Sequence, residues 1–261
     1  MTNPHTWMIS FVRERELLYS MKHIHNFFQK LADHDCRLTS KNELGFAAIW
    51  QQYRASAAIS SWAGKRSTAF QQTLQAGISE TLCHETQLYC QRRPELLTFH
   101  IYSMATSELL RGLNCMVTLS PTTGYLLLTI DHERFFNGTP AGLAKYRYWV
   151  DLLRITYQSW QSIYTYNFDH MGSPTTHPTW HQVRALQISR ITDFQMIAPE
   201  LVARWGAEQL FDAPAWKVER LHDGGALLIP EPPFFISTAK NCSLDAVTRH
   251  VGLALPASST Q

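Results

Sequence analysis

The sequence predicts an α+β fold, a mostly antiparallel sheet packed by helices, with a helical N-terminal part. Three observations lead there. The first quarter carries apolar residues at helical steps of three and four. The middle and last thirds carry short alternating or apolar runs separated by turn residues. Those runs pair most simply as hairpins, which favours an antiparallel sheet over a doubly wound parallel one.

Each element follows from local chemistry. Thr6 to Val12 reads as a short strand. Glu14 to Asp33 reads as a helix, because Leu17, Leu18, Met21, Ile24, Phe27, Phe28 and Leu31 share one face. Asp33 to Asn42 is polar and loop-like. Ser40 with Glu43 has the spacing of a capping box, so a second helix is expected from about Asn42 to Ser61. Gly64 interrupts it, and a third helical stretch is expected from Arg66 to Ile78. Thr81 to Tyr89 alternates roughly, as a strand would. Leu96 to Tyr102 alternates more clearly.

Cys115 to Leu119 and Tyr125 to Ile130 flank Ser120-Pro121-Thr122-Thr123-Gly124, a hairpin with strong turn chemistry. Thr139-Pro140 opens a long helix through about Ser162, with Leu143, Tyr146, Trp149, Val150, Leu153, Tyr157 and Trp160 as its apolar positions. Ile163 to Phe168 returns to alternation. His170 to His181 is a loop long enough to carry function. Ile188 to Met196 is extended. Ala198 to Trp205 is a helix started by Pro199 and stopped by Gly206. Asp223-Gly224-Gly225 turns a hairpin. Asn241 or Ser243 caps a last helix to about Val251, and Pro256 to Gln261 is a frayed tail. The expected organisation is one continuous domain over residues 1–261, with a helical subregion over 1–78 and a sheet-containing region over 79–255.

Composition narrows the function classes. The 261 residues suffice for an adequate core. Only 17% are charged, which is low, and the surface is expected to be polar through Gln, Thr, Ser and His. A net charge of +2 is too small for an electrostatic case for nucleic acid. Arg13/Arg15 and Arg92/Arg93 read as solvated surface charge. Five cysteines without repeated spacing argue against a disulfide framework and for a reducing compartment. No basic segment followed by an apolar run opens the chain, and no window approaches about eighteen apolar residues. The chain is expected to be soluble and cytoplasmic, with no membrane and no nucleic acid among its partners.

The common catalytic signatures are missing from the sequence. There is no phosphate-binding Gly-x-x-x-x-Gly-Lys-Ser/Thr loop, no Gly-x-Gly-x-x-Gly, no Gly-x-Ser-x-Gly elbow and no His-Glu-x-x-His. Cys83, His84, Cys90 and His100 lack the close paired spacing that aims ligands at one zinc ion, so no metal and no cofactor are expected. Asp131-His132 and Asp169-His170 each follow a strand. Strand ends display acid/base groups, so Asp131, His132, Asp169 and His170 form the alternative enzyme or ligand-binding site. The same residues more simply suit a chain that meets water and starts a turn.

The aromatic set Tyr146, Tyr148, Trp149, Tyr157, Trp160, Tyr164 and Tyr166 is dense. Helical spacing puts most of it in the core. Tyr148, Tyr164 and Tyr166 need not be on that face, and exposed tyrosines there would mark a contact surface. Trp180 is either exposed or packed back on the sheet. With His170, His177 and His181 it completes the expected binding group.

From about Tyr125 to Leu255 the sequence resembles the α+β immunity proteins of bacterial polymorphic-toxin and type VI systems, the group that includes the domain of unknown function 3396 and the Imm52-like families. The residues carrying the likeness are Phe194, Ile197, Glu200, Leu201, Val202 and Gly206, then Val218, Leu221, Gly224, Gly225, Leu228 and Ile229 in the hairpin. The resemblance implies a non-enzymatic protein that binds and neutralises a cognate toxin domain in the cytoplasm. It carries over no catalytic residue. Many immunity proteins are acidic, and the net +2 counts against a nuclease as the partner. A structural subunit of a defence or secretion complex is the further alternative.

Overall fold

Strand β1 (His5–Val12) lies inside the sheet and explains its layering. Met8 and Val12 pack into one hydrophobic cluster, Ile9 and Phe11 into a second, and all four are buried. A strand covered on both faces has no polar side, so it reads as a nearly unbroken apolar run. Ser10 interrupts that run. Its hydroxyl is satisfied by Ser162 Oγ at 2.7 Å and Thr165 Oγ1 at 2.5 Å, as burial requires. The computed structural model describes residues 5–35, 37–43, 70–73, 97–103, 109–120, 123–131, 135–136, 141–168, 178–232 and 244–253.

The remaining strands among the described residues are β2 (Leu38–Glu43), β3 (Phe70–Thr73), β4 (Leu97–Ser103), β5 (Asn114–Ser120), β6 (Tyr125–Asp131), β7 (Ser162–Phe168), β8 (Gln195–Ile197), β9 (Lys217–Arg220) and β10 (Ala226–Ile229). They form one sheet in the order β3-β2-β4-β5-β6-β1-β7-β8-β10-β9. Every pairing is antiparallel. The fold is α+β.

Helices cover both faces. On one side lie α1 (Met21–His34) and α2 (Gly142–Ser159), where Ile24, Phe27, Leu31, Trp149 and Leu153 meet Val117, Leu126 and Leu128 of the sheet. On the other lie α3 (Trp180–Arg184), α4 (Pro199–Trp205), α5 (Ala207–Phe211) and α6 (Leu244–His250). Val183, Leu201, Leu210 and Val247 meet Ile9, Phe11, Tyr164 and Leu228 there. Strand parity sorts the layers. In β10, Leu227 and Ile229 face α1 and α2, whereas Ala226 and Leu228 face the other helices.

The turn chemistry acts as expected in the last third. Pro199 opens α4 and Gly206 ends it at φ +87°. Gly224 turns the β9–β10 hairpin at φ +86°. Gly225 is required for a different reason: a Cβ there would stand 2.5 Å from the Ile197 carbonyl oxygen.

Several expectations need correction. The helix over Glu14–Asp33 is split: a 3-10 turn spans Arg15–Tyr19, Ser20 is extended, and α1 begins at Met21. Residues 38–43, expected as loop and helix start, form β2, which is paired on both sides by β3 and β4. Residues 70–73, expected as helix, form β3. At 38–43 the cross-strand ladder outweighs the local capping signal, and at 70–73 it outweighs the helical pattern. The three described strands from the N-terminal region, β1, β2 and β3, therefore hydrogen-bond into the same sheet as β4 to β10. Within α2, Leu143 is 37% exposed while Lys145 is fully buried, with Nζ donating to the Arg111 carbonyl at 3.1 Å. The extended run expected over Ile188–Met196 narrows to β8, and α5 was not anticipated. The remainders of the helices expected over 42–61 and 66–78, and the strand over 81–89, lie outside the described residues.

Candidate functional site

The most distinctive surface is built around Trp180, and it starts from a helix cap. Thr179 stands before α3 with Gln182 three residues on. The Thr179 hydroxyl accepts from the Gln182 backbone N–H at 3.2 Å, and the Thr179 N–H donates to Gln182 Oε1 at 2.8 Å. This capping box aims the first turn, and buried Val183 anchors it to the core. Trp180 then lies across the end of β1. Its indole Nε1–H donates to the Val12 carbonyl at 2.8 Å. Its ring fills the space where Gly124, at φ +72°, lacks a side chain, since a Cβ there would be 2.4 Å from Trp180 Cδ1. The indole is therefore fixed from below by the end of β1 and the turn before β6.

Cations gather on this ring. The Arg15 guanidinium is 4.1 Å and the Arg184 guanidinium 5.0 Å from the ring centroid. The His181 ring meets it edge-on at 5.2 Å. His181 and Arg184 are exposed and Arg15 is half-buried. Neither Arg15 nor Arg184 has a carboxylate within ion-pair distance among the described residues. Arg13 next door differs: it is paired with Glu200 on α4. That bond raises the Arg13 pKa and holds the Glu200 carboxyl below the usual range.

Of the expected binding residues, Trp180 and His181 come together here, and Trp180 resolves its two alternatives as both half-exposed and packed on the sheet. Tyr148, Tyr164 and Tyr166 are corrected as surface groups. They are 8%, 2% and 3% exposed. Tyr148 faces α1 and donates to Asp35 Oδ2 at 3.0 Å. Tyr164 stacks on Tyr166 at 4.8 Å and donates to Gln195 Oε1 at 3.1 Å. Tyr166 in turn stacks on Phe11. Burial pushes all three phenols well above their ordinary range. For Tyr164 and Tyr166 the physical reason is the second helical layer, which covers the face of β7 that a one-sided sheet would leave wet; Tyr148 is buried where α2 packs on α1. Arg15 and Arg184 were not singled out as a pair; a shared aromatic neighbour across about 170 positions leaves no local signal.

The alternative His/Asp site is only partly placed. Asp131 ends β6 opposite His5. His132, Asp169, His170 and His177 lie outside the described residues. Among the described residues there is no group of three or more His, Cys, Asp or Glu able to hold a metal ion. An open groove of about 420 Å³ runs between α2 and β9, lined by Arg154, Gln158, Glu219, Arg220, Leu221 and His222. Its main charges neutralise each other: Glu219 bonds Arg154 and Lys217, each at 2.9 Å. Burial alone would raise the Glu219 pKa, but those cations hold it low, which leaves a fixed carboxylate rather than a proton donor. No helix among the described residues is long and apolar enough to cross a membrane.

No family model matches the sequence, and no curated protein matches it. Among solved structures, the chain is similar to the Pseudomonas aeruginosa T6SS protein PA0821, at 11% identity and a TM-score of 0.43, over 95% of this chain and 71% of that one.

Proposed function

We propose that this chain is a non-enzymatic protein-binding module of the immunity type, which neutralises a toxin domain by direct contact, and that the Trp180 corner is the centre of its contact surface. The observation supporting this is the rigid Trp180 ring, pinned to Val12 and Gly124 from below and carrying Arg15 and Arg184, neither ion-paired among the described residues, together with exposed His181. Aromatic and arginine side chains dominate binding hot spots. A ring already locked in place loses little freedom on docking, so more of the contact energy appears as affinity.

The test is co-expression of the full chain with the product of an adjacent gene that is toxic on its own. The expected outcome is rescue of growth and a complex that survives gel filtration. Arg184→Ala, an exposed change that spares the core, is expected to weaken the complex about 30-fold, the equivalent of a ~2 kcal/mol hot spot. If no neighbouring product is toxic and none binds, the proposal fails.

A further inference from the structure

The charge pattern around Trp180 goes a step further and rests on that binding reading. We propose that Arg15 and Arg184 act as a two-pronged clamp for carboxylates, so that the partner presents Asp or Glu side chains to this corner.

Stacking on an indole uses the face of a guanidinium and leaves its edge, where the N–H donors lie. Two such edges, held to one ring, suit bidentate acceptance by carboxylate oxygens. Among the described residues the Arg15 Nε–H is buried and bonded to no acceptor, and Arg184 beside it is exposed.

The flanks distinguish a carboxylate-bearing protein from the other polyanion, nucleic acid. Glu14 and Glu16 adjoin Arg15 in the chain, and both are exposed with no ion pair to a described Lys or Arg. Glu200 lies beyond them on Arg13. A phosphate backbone would carry uniform negative charge across these carboxylates and be repelled. A protein surface can place acidic groups at the centre and neutral or basic ones at the rim.

The full chain, isotopically labelled, is titrated with N-acetyl hexaglutamate amide, with hexalysine and with a twelve-nucleotide oligothymidylate. The Arg15 and Arg184 Nε–H and Trp180 indole N–H resonances report the corner. The expected result is saturable shifts at these groups with hexaglutamate alone, weakening as salt rises. The double variant Arg15→Gln/Arg184→Gln is expected to bind at least tenfold more weakly while keeping its amide spectrum. Arg184→Lys, which keeps the charge but loses the fork, is expected to fall between. Absence of shifts at the arginines, equal binding by the double variant, or tighter binding of oligothymidylate at the corner would overturn the clamp. Should a toxic partner bind the double variant with undiminished affinity, the clamp is wrong and so is the placing of the contact surface at this corner; only the binding of a toxic partner would stand. Should hexaglutamate bind as expected while no neighbouring product binds, the clamp stands and the immunity role falls.

Discussion

Asp35 shows how a single carboxylate joins two helices. It follows α1, and its oxygens accept from Arg37 Nε and Nη2 at 2.8 Å each and from the Tyr148 hydroxyl of α2 at 3.0 Å. Burial on its own would raise the Asp35 pKa, but these donors outweigh it and hold the carboxyl below its ordinary value. A group depressed in the folded state adds stability that is complete above its unfolded pKa, about 4, and is lost as pH falls through the lower folded value. Thermal melts are therefore expected to lose an increment below about pH 4, and Asp35→Asn removes that increment. Because Glu200 and Glu219 shift in the same direction, the quantity to measure is wild type minus variant. At neutral pH the variant is expected to cost about 1.5–3 kcal/mol in denaturant unfolding, the range for hydrogen bonds to a charged group. Gly124 is the second critical residue. Gly124→Ala meets both a left-handed φ and the Trp180 ring at 2.4 Å, so a loss of at least ~2 kcal/mol is expected, with altered tryptophan fluorescence.

The capping box of α3 controls the corner at the scale of an element. Thr179→Ala is expected to cost about 1 kcal/mol and to speed hydrogen exchange at the Gln182 and Val183 amides, since the Gln182 N–H would lose the hydroxyl it donates to, while the backbone N–H of residue 179 keeps its bond to Gln182 Oε1. Unchanged exchange there would mean that packing of Val183 alone holds the helix. The same signature, Thr-x-x-Gln, was open to reading in the sequence but was masked by the Pro and His around it. The converse holds at Ser40 and Glu43, whose capping-box spacing occurs within a strand. Leu38 to Glu43 has no clear apolar alternation; its pairing with β3 and β4 makes it a strand, and that partner information is spread over some sixty residues. Where one local rule sufficed, the reading was good. Pro199, Gly206 and Asp223-Gly224-Gly225 each mark their element. Gly225→Ala is expected to disrupt the hairpin, because its Cβ would strike both the Ile197 carbonyl and the Tyr157 hydroxyl, and a lowered melting temperature would record it.

Across the whole molecule, the sheet's double cover decides what is surface and what is core. The α+β class was legible from periodicity, but not that helices would bury both faces of β1 and β7. That is why Tyr164 and Tyr166, alternating properly along a strand, lie in the core, and why the proposed contact surface falls instead at the end of β1. Trp180 was visible as a candidate; its arginine neighbours were not, since Arg15 precedes α1 and Arg184 ends α3. The immunity-type reading makes this corner the part of the molecule a toxin covers. Hydrogen–deuterium exchange on the full chain, with and without the toxic product of the adjacent gene, tests that most directly. The account predicts slowed exchange on binding over residues 13–16 and 178–186. Protection confined to other segments, with this corner exchanging as fast as in the free protein, would contradict it.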